Sequence, residues 1–233
     1  MISILPVRGL PQIRPGDDIA DLFIEACKDN DIRPSDWDVL VVTQKIVSKA
    51  EGRLVTFDPK EGHKPLVEQE SKRILRRRGD LIISETNHGF VCANAGIDLS
   101  NVEEGQAALL PLDSDRSAKR IQSSLEHKYG MTTGVIISDT FGRPWRRGVT
   151  DVAIGSAGIK PIIDLRGTTD SLGRELQVTE VAVADELAAA AELVMGKAEN
   201  VPIAIVRGAE KSWFGEGSVS DSLVRNSSED LFR

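Results

Sequence analysis

Asp139 and Thr140 close an apolar run, Gly134-Val-Ile-Ile-Ser-Asp-Thr-Phe-Gly-Arg143, and Pro144-Trp-Arg-Arg-Gly148 follows at once. The apolar residues predict a short buried strand over 134–138 with a carboxylate at its exposed tip. A carboxylate in that place is suited to a divalent cation. Arg143, Arg146 and Arg147, just beyond it, are suited to phosphate oxygens. A hard-metal ligand beside anion binders points to phosphoryl-transfer or nucleotide chemistry.

Three other segments join an apolar run to groups of the same kind. Gly9-Leu10-Pro11-Gln12-Ile13 follows a strand pattern, and backbone amides at such a turn can hold a nucleobase or a phosphate. Thr43-Gln44-Lys45-Ile-Val-Ser48-Lys49 follows a second buried run, with Lys45 and Lys49 as charges for phosphates. It lacks the glycines of a Walker A loop. Asn94-Ala-Gly-Ile-Asp98-Leu-Ser-Asn101 offers an acid and an amide three residues apart. Each segment also has an ordinary explanation: a plain turn, surface lysines, a residue capping a turn. If Asp98 and Asp139 converge, their repulsion calls for a cation between them. Two carboxylates and the Thr140 hydroxyl are hard ligands that suit Mg²⁺ or Mn²⁺ rather than zinc. His63, His88 and His127 lie unpaired in polar contexts and are expected to have no catalytic role.

The elements that must carry these groups read as an irregular alternation. Strands are expected at 2–7, 38–43, 81–85, 89–93 and 201–206, and helices at 19–30, about 66–78, 114–129 and 180–195. Residues 109–112 read as extended and 152–165 as strand-like with turns. Ser114 or Asp115 is the expected cap of the third helix. This order fits α+β, with mixed or antiparallel sheets and flanking helices, better than a doubly wound parallel sheet.

The chain has 233 residues, 40% hydrophobic and 28% charged, as in an ordinary globular protein. Aromatics are only 4%, so the core must be aliphatic. A net charge of -7 argues against a broad nucleic-acid-binding face. The basic run Lys72-Arg73-Ile-Leu-Arg76-Arg77-Arg78 reads as a solvated helix face or helix end. Cys27 and Cys92 lack metal spacing and are expected as buried free thiols. There is no secretory signal pattern and no apolar run of ~18 residues, so a cytoplasmic protein without a membrane span is expected.

Taken together, Leu5-Pro-Val-Arg-Gly-Leu-Pro11, Asp38-Val-Leu-Val-Val-Thr-Gln-Lys-Ile-Val-Ser-Lys-Ala-Glu-Gly-Arg53, Asn94-Ala-Gly-Ile-Asp-Leu-Ser-Asn-Val102, Ser138-Asp-Thr-Phe-Gly-Arg143 and Val183-Ala-Asp-Glu-Leu-Ala-Ala-Ala190 resemble the coenzyme F420-0:L-glutamate ligases. The resemblance runs from Ile4 to the last strand. It implies an intertwined homodimer of an unusual α+β fold. It also implies one ligase domain over 1–233, with room for two subdomains and no flavin site. The implied activity joins L-glutamate to the lactyl carboxylate of F420-0, with further γ-linked glutamates in many members. GTP is the co-substrate, with Mg²⁺ or Mn²⁺, two ions expected, and stimulation by K⁺.

By the same resemblance Leu10, Pro11, Gln12, Ile13, Gln44, Lys49 and Asn101 contact GTP. Asp98, Asp139 and Thr140 hold metal, and Asp98, Asp139 and Lys49 are the catalytic set. The stretch Met195-Gly-Lys197-Ala-Glu-Asn-Val-Pro202 departs from the pattern. It is shorter than the acidic, glycine-rich run of archaeal members and carries Lys197 at the acid position. In actinobacterial members a flavin-binding domain follows. A stand-alone ligase and the first domain of a longer protein are both compatible with the chain. The implied route passes through an acyl phosphate. Two other readings stay open here: another nucleotide-dependent amide ligase or phosphotransferase, and a module that binds GTP or F420 without chemistry.

Overall fold

The computed structural model describes residues 1–231; Phe232 and Arg233 lie outside the described residues. The chain runs β1 (Ser3–Val7), α1 (Ile19–Asp29), β2 (Val39–Thr43), α2 (Gln44–Ala50), β3 (Leu54–Thr56), α3 (Lys64–Gln69), β4 (Ser71–Arg78), β5 (Leu81–Thr86), β6 (Val91–Ala93) and β7 (Gln106–Ala108). It continues with α4 (Ser114–Tyr129), β8 (Gly134–Gly142), β9 (Val149–Ala157), β10 (Ile163–Asp164), β11 (Glu180–Val181), α5 (Val183–Met195), β12 (Ile203–Arg207) and α6 (Val219–Ser222). This is α+β with mixed and antiparallel sheets, as expected.

Five strands form the central sheet in the order β1-β12-β2-β8-β9. Only β2 and β8 pair in parallel; the other neighbours are antiparallel. Both faces are covered, which is why β2 reads as an unbroken apolar run, with Val39, Leu40, Val41 and Val42 all at 0% exposure. Leu40, Val42, Val135 and Ile137 face α1 and α4. Val39, Val41 and Ile136 face α5 and α6. Truncating a fully buried isoleucine such as Ile136 or Ile137 to alanine removes about 2–5 kcal/mol. β9 is the edge strand. Its N–H groups at Ala153 and Ser156 are taken at 2.9 Å by the carboxylates of Asp185 on α5 and Asp115 on α4, which blunts the edge there.

The segment between α2 and α4 builds two smaller sheets, β3-β7 and β4-β5-β6, around Val67, Ile82 and Ala95. Here two expectations fail. The helix predicted over 66–78 is the short α3 followed by β4, and the basic run lies on that strand, paired with β5 across two register shifts. The apolar β5, with Ile82 at 1% exposure, needs a partner, and pairing overrides the helical propensity of Leu, Lys and Arg. The strand predicted to end at Ser138 continues to Gly142, so Asp139 and Thr140 are inside β8, not at its tip. Asp113, not Ser114 or Asp115, caps α4, accepting the Arg116 N–H at 2.9 Å. The helix expected from Glu180 begins at Val183, because Glu180 and Val181 pair with β10. Cys27 and Cys92 are buried free thiols, and burial pushes each up to about 12. Among the described residues no helix is long and apolar enough to cross a membrane.

Candidate active site

The carboxyl ends of the parallel pair β2 and β8 lie side by side, Thr43 opposite Ser138. β12 runs antiparallel to β2, so its first residues reach the same edge, where Thr43 N–H donates to the Pro202 carbonyl at 3.0 Å. The end of β2 with α2, the outer half of β8, the first half of β9 and the α5–β12 loop therefore meet at one edge. That is the usual place for ligands on sheets with parallel strands.

Strand alternation divides the groups there between two faces. Asp139 lies on the face of Ile137 and Phe141, towards β6, where Phe141 meets the Phe90 ring edge-on at 6.0 Å. Its half-buried carboxyl is pushed up to about 7. Burial is the main cause. The Thr140 backbone N–H opposes it, the charges of Asp98 and Asp151 add to it, and Lys45 subtracts. Thr140 points to the opposite face, where its hydroxyl donates to Asp151 at 2.7 Å. A bulge between Ile137 and Ser138 sets this register and puts Asp151 directly across from Thr140.

Asp98 is fixed by its backbone, which exchanges two hydrogen bonds of 2.9 Å with Ala108. The turn before it is left-handed at Asn94, Ala95 and Gly96. A Cβ on Gly96 would sit 2.8 Å from the Leu110 side chain, so only glycine fits. The Asp98 carboxylate accepts the Ser100 N–H and hydroxyl at 2.7 Å each and pairs with Lys45 at 3.0 Å. Lys45 and Lys49, four apart on α2, share a helix face. Lys49 donates to the Asn101 carbonyl at 3.0 Å. Lys49 of α2 and Asp98 and Asn101 of the 98–101 loop, all in the predicted set, are thus brought together.

The remaining predicted residues are placed less directly. The Leu10–Ile13 loop is tied to α2 at its far end, where Gly16 N–H donates to Ala50 O at 2.8 Å. Pro11 and Gln12 are exposed, Leu10 packs on the core, and Ile13 is part of it. Gln44 is fully buried; its Oε1 accepts the Ser48 hydroxyl at 2.8 Å, and its Nε2 has no partner among the described residues. Arg143, Arg146 and Arg147 lie exposed in the β8–β9 turn, and Arg143 donates to the Arg147 carbonyl at 2.9 Å.

Sequence reasoning missed Asp151 and Glu192, named Lys45 only as a charge for phosphates, and left Lys197 outside the site. Lys197 donates to Thr140 Oγ1 at 2.7 Å and Asp151 Oδ1 at 2.6 Å and pairs with Glu192 at 3.1 Å. Burial works against its charge, but the bonds to Asp151 and Glu192 hold its pKa above the ordinary value. The signal for Asp151 was available, as a lone acid one residue before the apolar run that begins at Val152.

As a test of fit for a divalent cation, the donors near Asp139 are hard oxygens. Asp139 has no ion-pair partner among the described residues, and burial first, then the charges of Asp98 and Asp151, raise its pKa. A cation suits that position. No group of three acidic, histidine or cysteine side chains with metal-binding geometry occurs among the described residues, so a bound ion would draw further ligands from phosphate or water. Two cavities, of about 240 and 250 Å³, are lined by Asn87, His88 and Phe90 with the start of α4, and by Gly16–Ile19 with Ala50, Glu51 and Arg120. Neither includes Asp98, Asp139 or Asp151.

Residues 9–208 match the family profile described as F420-0:Gamma-glutamyl ligase. The coenzyme F420:L-glutamate ligase of Methanothermobacter thermautotrophicus is 46% identical over 249 residues, covering 100% of this chain and 99% of that protein. The proteins of the same name from Methanopyrus kandleri and Methanocaldococcus jannaschii are 41% and 43% identical, over 100% and 98% of this chain and 98% and 94% of theirs. On the match over 9–208 and this full-length similarity, the chain belongs to the F420-0:gamma-glutamyl ligase family.

Proposed function

We propose that this chain joins L-glutamate to the lactyl carboxylate of coenzyme F420-0 in F420 biosynthesis, using GTP and Mg²⁺ or Mn²⁺ through an acyl phosphate. The full-length similarity to proteins named coenzyme F420:L-glutamate ligase carries the reading of the substrates. The grouping of Asp98, Asp139, Lys45 and Lys49 at the carboxyl edge of β2 and β8 supports the reading of the chemistry.

A carboxylate does not condense with an amine in water, because its oxygen is a poor leaving group. In the proposed route the acid's oxygen bonds to the γ-phosphorus of GTP and GDP leaves. Glutamate's neutral amine then attacks the acyl carbon, and the C–O bond breaks to release phosphate. Asp98 and Asp139 would hold the divalent ion, which when bound would offset charge on the phosphate oxygens. Lys45 orients the Asp98 carboxylate. Lys49 adds a point charge at the mouth of the 98–101 loop. The Leu10–Ile13 loop, Gln44 and Asn101 are the nucleotide contacts of this reading, and the unpartnered Gln44 Nε2 is a donor such a contact would satisfy. K⁺ stimulation belongs to the same family expectation.

We also propose a homodimer. Trp145 and Val149, around the β8–β9 turn, are 82% and 60% exposed, and Leu172 and Val178, between β10 and β11, are 79% and 85% exposed. Apolar surface of this kind suits burial against a second copy.

Oxygen labelling tests the acyl phosphate. F420-0 carrying ¹⁸O in its lactyl carboxylate should pass one labelled oxygen to the released phosphate for each amide formed. Amide formation with unlabelled phosphate would exclude the route.

A further inference from the structure

Thr140 was expected to hold metal beside Asp139, yet it lies on the other face of β8 with its hydroxyl already engaged. Three oxygens from three elements converge on the Lys197 ammonium. These are Thr140 Oγ1 from β8 at 2.7 Å, Asp151 Oδ1 from β9 at 2.6 Å and Glu192 Oε1 from α5 at 3.1 Å. The geometry points to Lys197 as the built-in cation of this face, occupying with its ammonium a position that would otherwise take a divalent ion.

The Asp151 carboxylate is 5% exposed, and a buried carboxylate requires a charge partner. Its other hydrogen bonds, from Ser138 at 3.3 Å and Thr140 at 2.7 Å, come from neutral hydroxyls. Lys197 supplies the positive charge and is anchored for it, because its loop starts at the end of α5 and leads into β12 at the same sheet edge. On the Asp139 face no lysine or arginine pairs with Asp139 among the described residues, and that face is left for an external cation. One edge therefore has two cation positions of different kinds, one filled from within the chain and one open. Two carboxylates and a hydroxyl without the ammonium would be an oxygen site of the sort Mn²⁺ accepts.

The test is the number of Mn²⁺ ions bound per folded chain without nucleotide, by equilibrium dialysis and electron paramagnetic resonance. Lys197→Met and Lys197→Gln should each bind one more ion than the unaltered chain. Lys197→Arg, which keeps the charge, should gain none, and adding Asp151→Asn to Lys197→Met should remove the gain. Equal counts in the unaltered chain and both neutral variants would overturn the assignment, as would an extra ion that survives Asp151→Asn. The inference uses the proposed Asp98–Asp139 site only for the starting count. An unaltered chain that binds no Mn²⁺, with one ion in Lys197→Met, would contradict that site and support this one. Lys197 is 49% exposed, and thermal melts should show all variants folded.

Discussion

Asp139 is the residue on which the proposed chemistry turns. Its carboxyl is half-buried, raised to about 7, and close enough to Asp98 and Asp151 to feel both charges. Asparagine keeps its shape and removes its charge. Asp139→Asn should lower kcat/KM for glutamate addition by 10²–10³, about 3–4 kcal/mol of transition-state stabilisation, and weaken Mn²⁺ binding in parallel. Near-normal turnover in that variant would remove Asp139 from the site. The acid, the hydroxyl and the neighbouring arginines could be picked out by residue type, because hard ligands after an apolar run are rare in a core. Their directions could not. A one-residue bulge at Ile137/Ser138 decides which side chains of β9 stand opposite β8, and a bulge leaves no mark in the hydrophobic pattern. Asp151, visible as a lone acid, was therefore not placed beside Thr140, and Thr140 was grouped with Asp139 although their side chains point to opposite faces of β8.

At the scale of elements, apolar spacing made α1, α4, α5 and the strands β1, β2, β5, β6, β8 and β12 readable to within a few residues, except the far end of β8, and long-range pairing hid α3–β4 and the short β10–β11 pair. β4 is the clear case: a basic segment with helix-forming residues becomes a strand because β5 requires a partner. The α1–α4 contact shows how a local cap serves the tertiary structure. Asp18 accepts the Ala20 and Asp21 N–H groups at the start of α1 and also binds Lys128 of α4 at 2.8 Å. Burial alone would raise its pKa. Lys128, Ser124 and the two amides outweigh that and hold it below the ordinary carboxylate value. Asp18 therefore stabilises the fold fully above the unfolded carboxylate value, and this contribution is lost as pH falls through its lowered folded value. Asp18→Ala should cost about 1 kcal/mol at neutral pH. In urea titrations the gap between the two proteins should narrow below the ordinary carboxylate range. A gap that stays constant down to the acid transition would contradict the linkage.

For the whole molecule, the central sheet has helices on both faces, and its carboxyl edge gathers four separate stretches of chain, with the 98–101 loop held beside them by Lys45 and Lys49. That gathering places Asp98, Asp139, Lys45 and Lys49 near one another although up to 94 positions separate them in sequence. The exposed apolar residues at two outlying turns predict self-association. Sedimentation at micromolar concentration should give twice the 25.3 kDa chain mass, and a monomer there would contradict the proposed dimer. The most direct test of the functional account is mass spectrometry of the complete reaction: F420-0, L-glutamate, GTP and Mn²⁺ or Mg²⁺ with the folded protein. The account predicts product heavier by one glutamyl residue per step, with one phosphate released for each increment. GTP binding without any increment, on substrate shown to be competent, would contradict it.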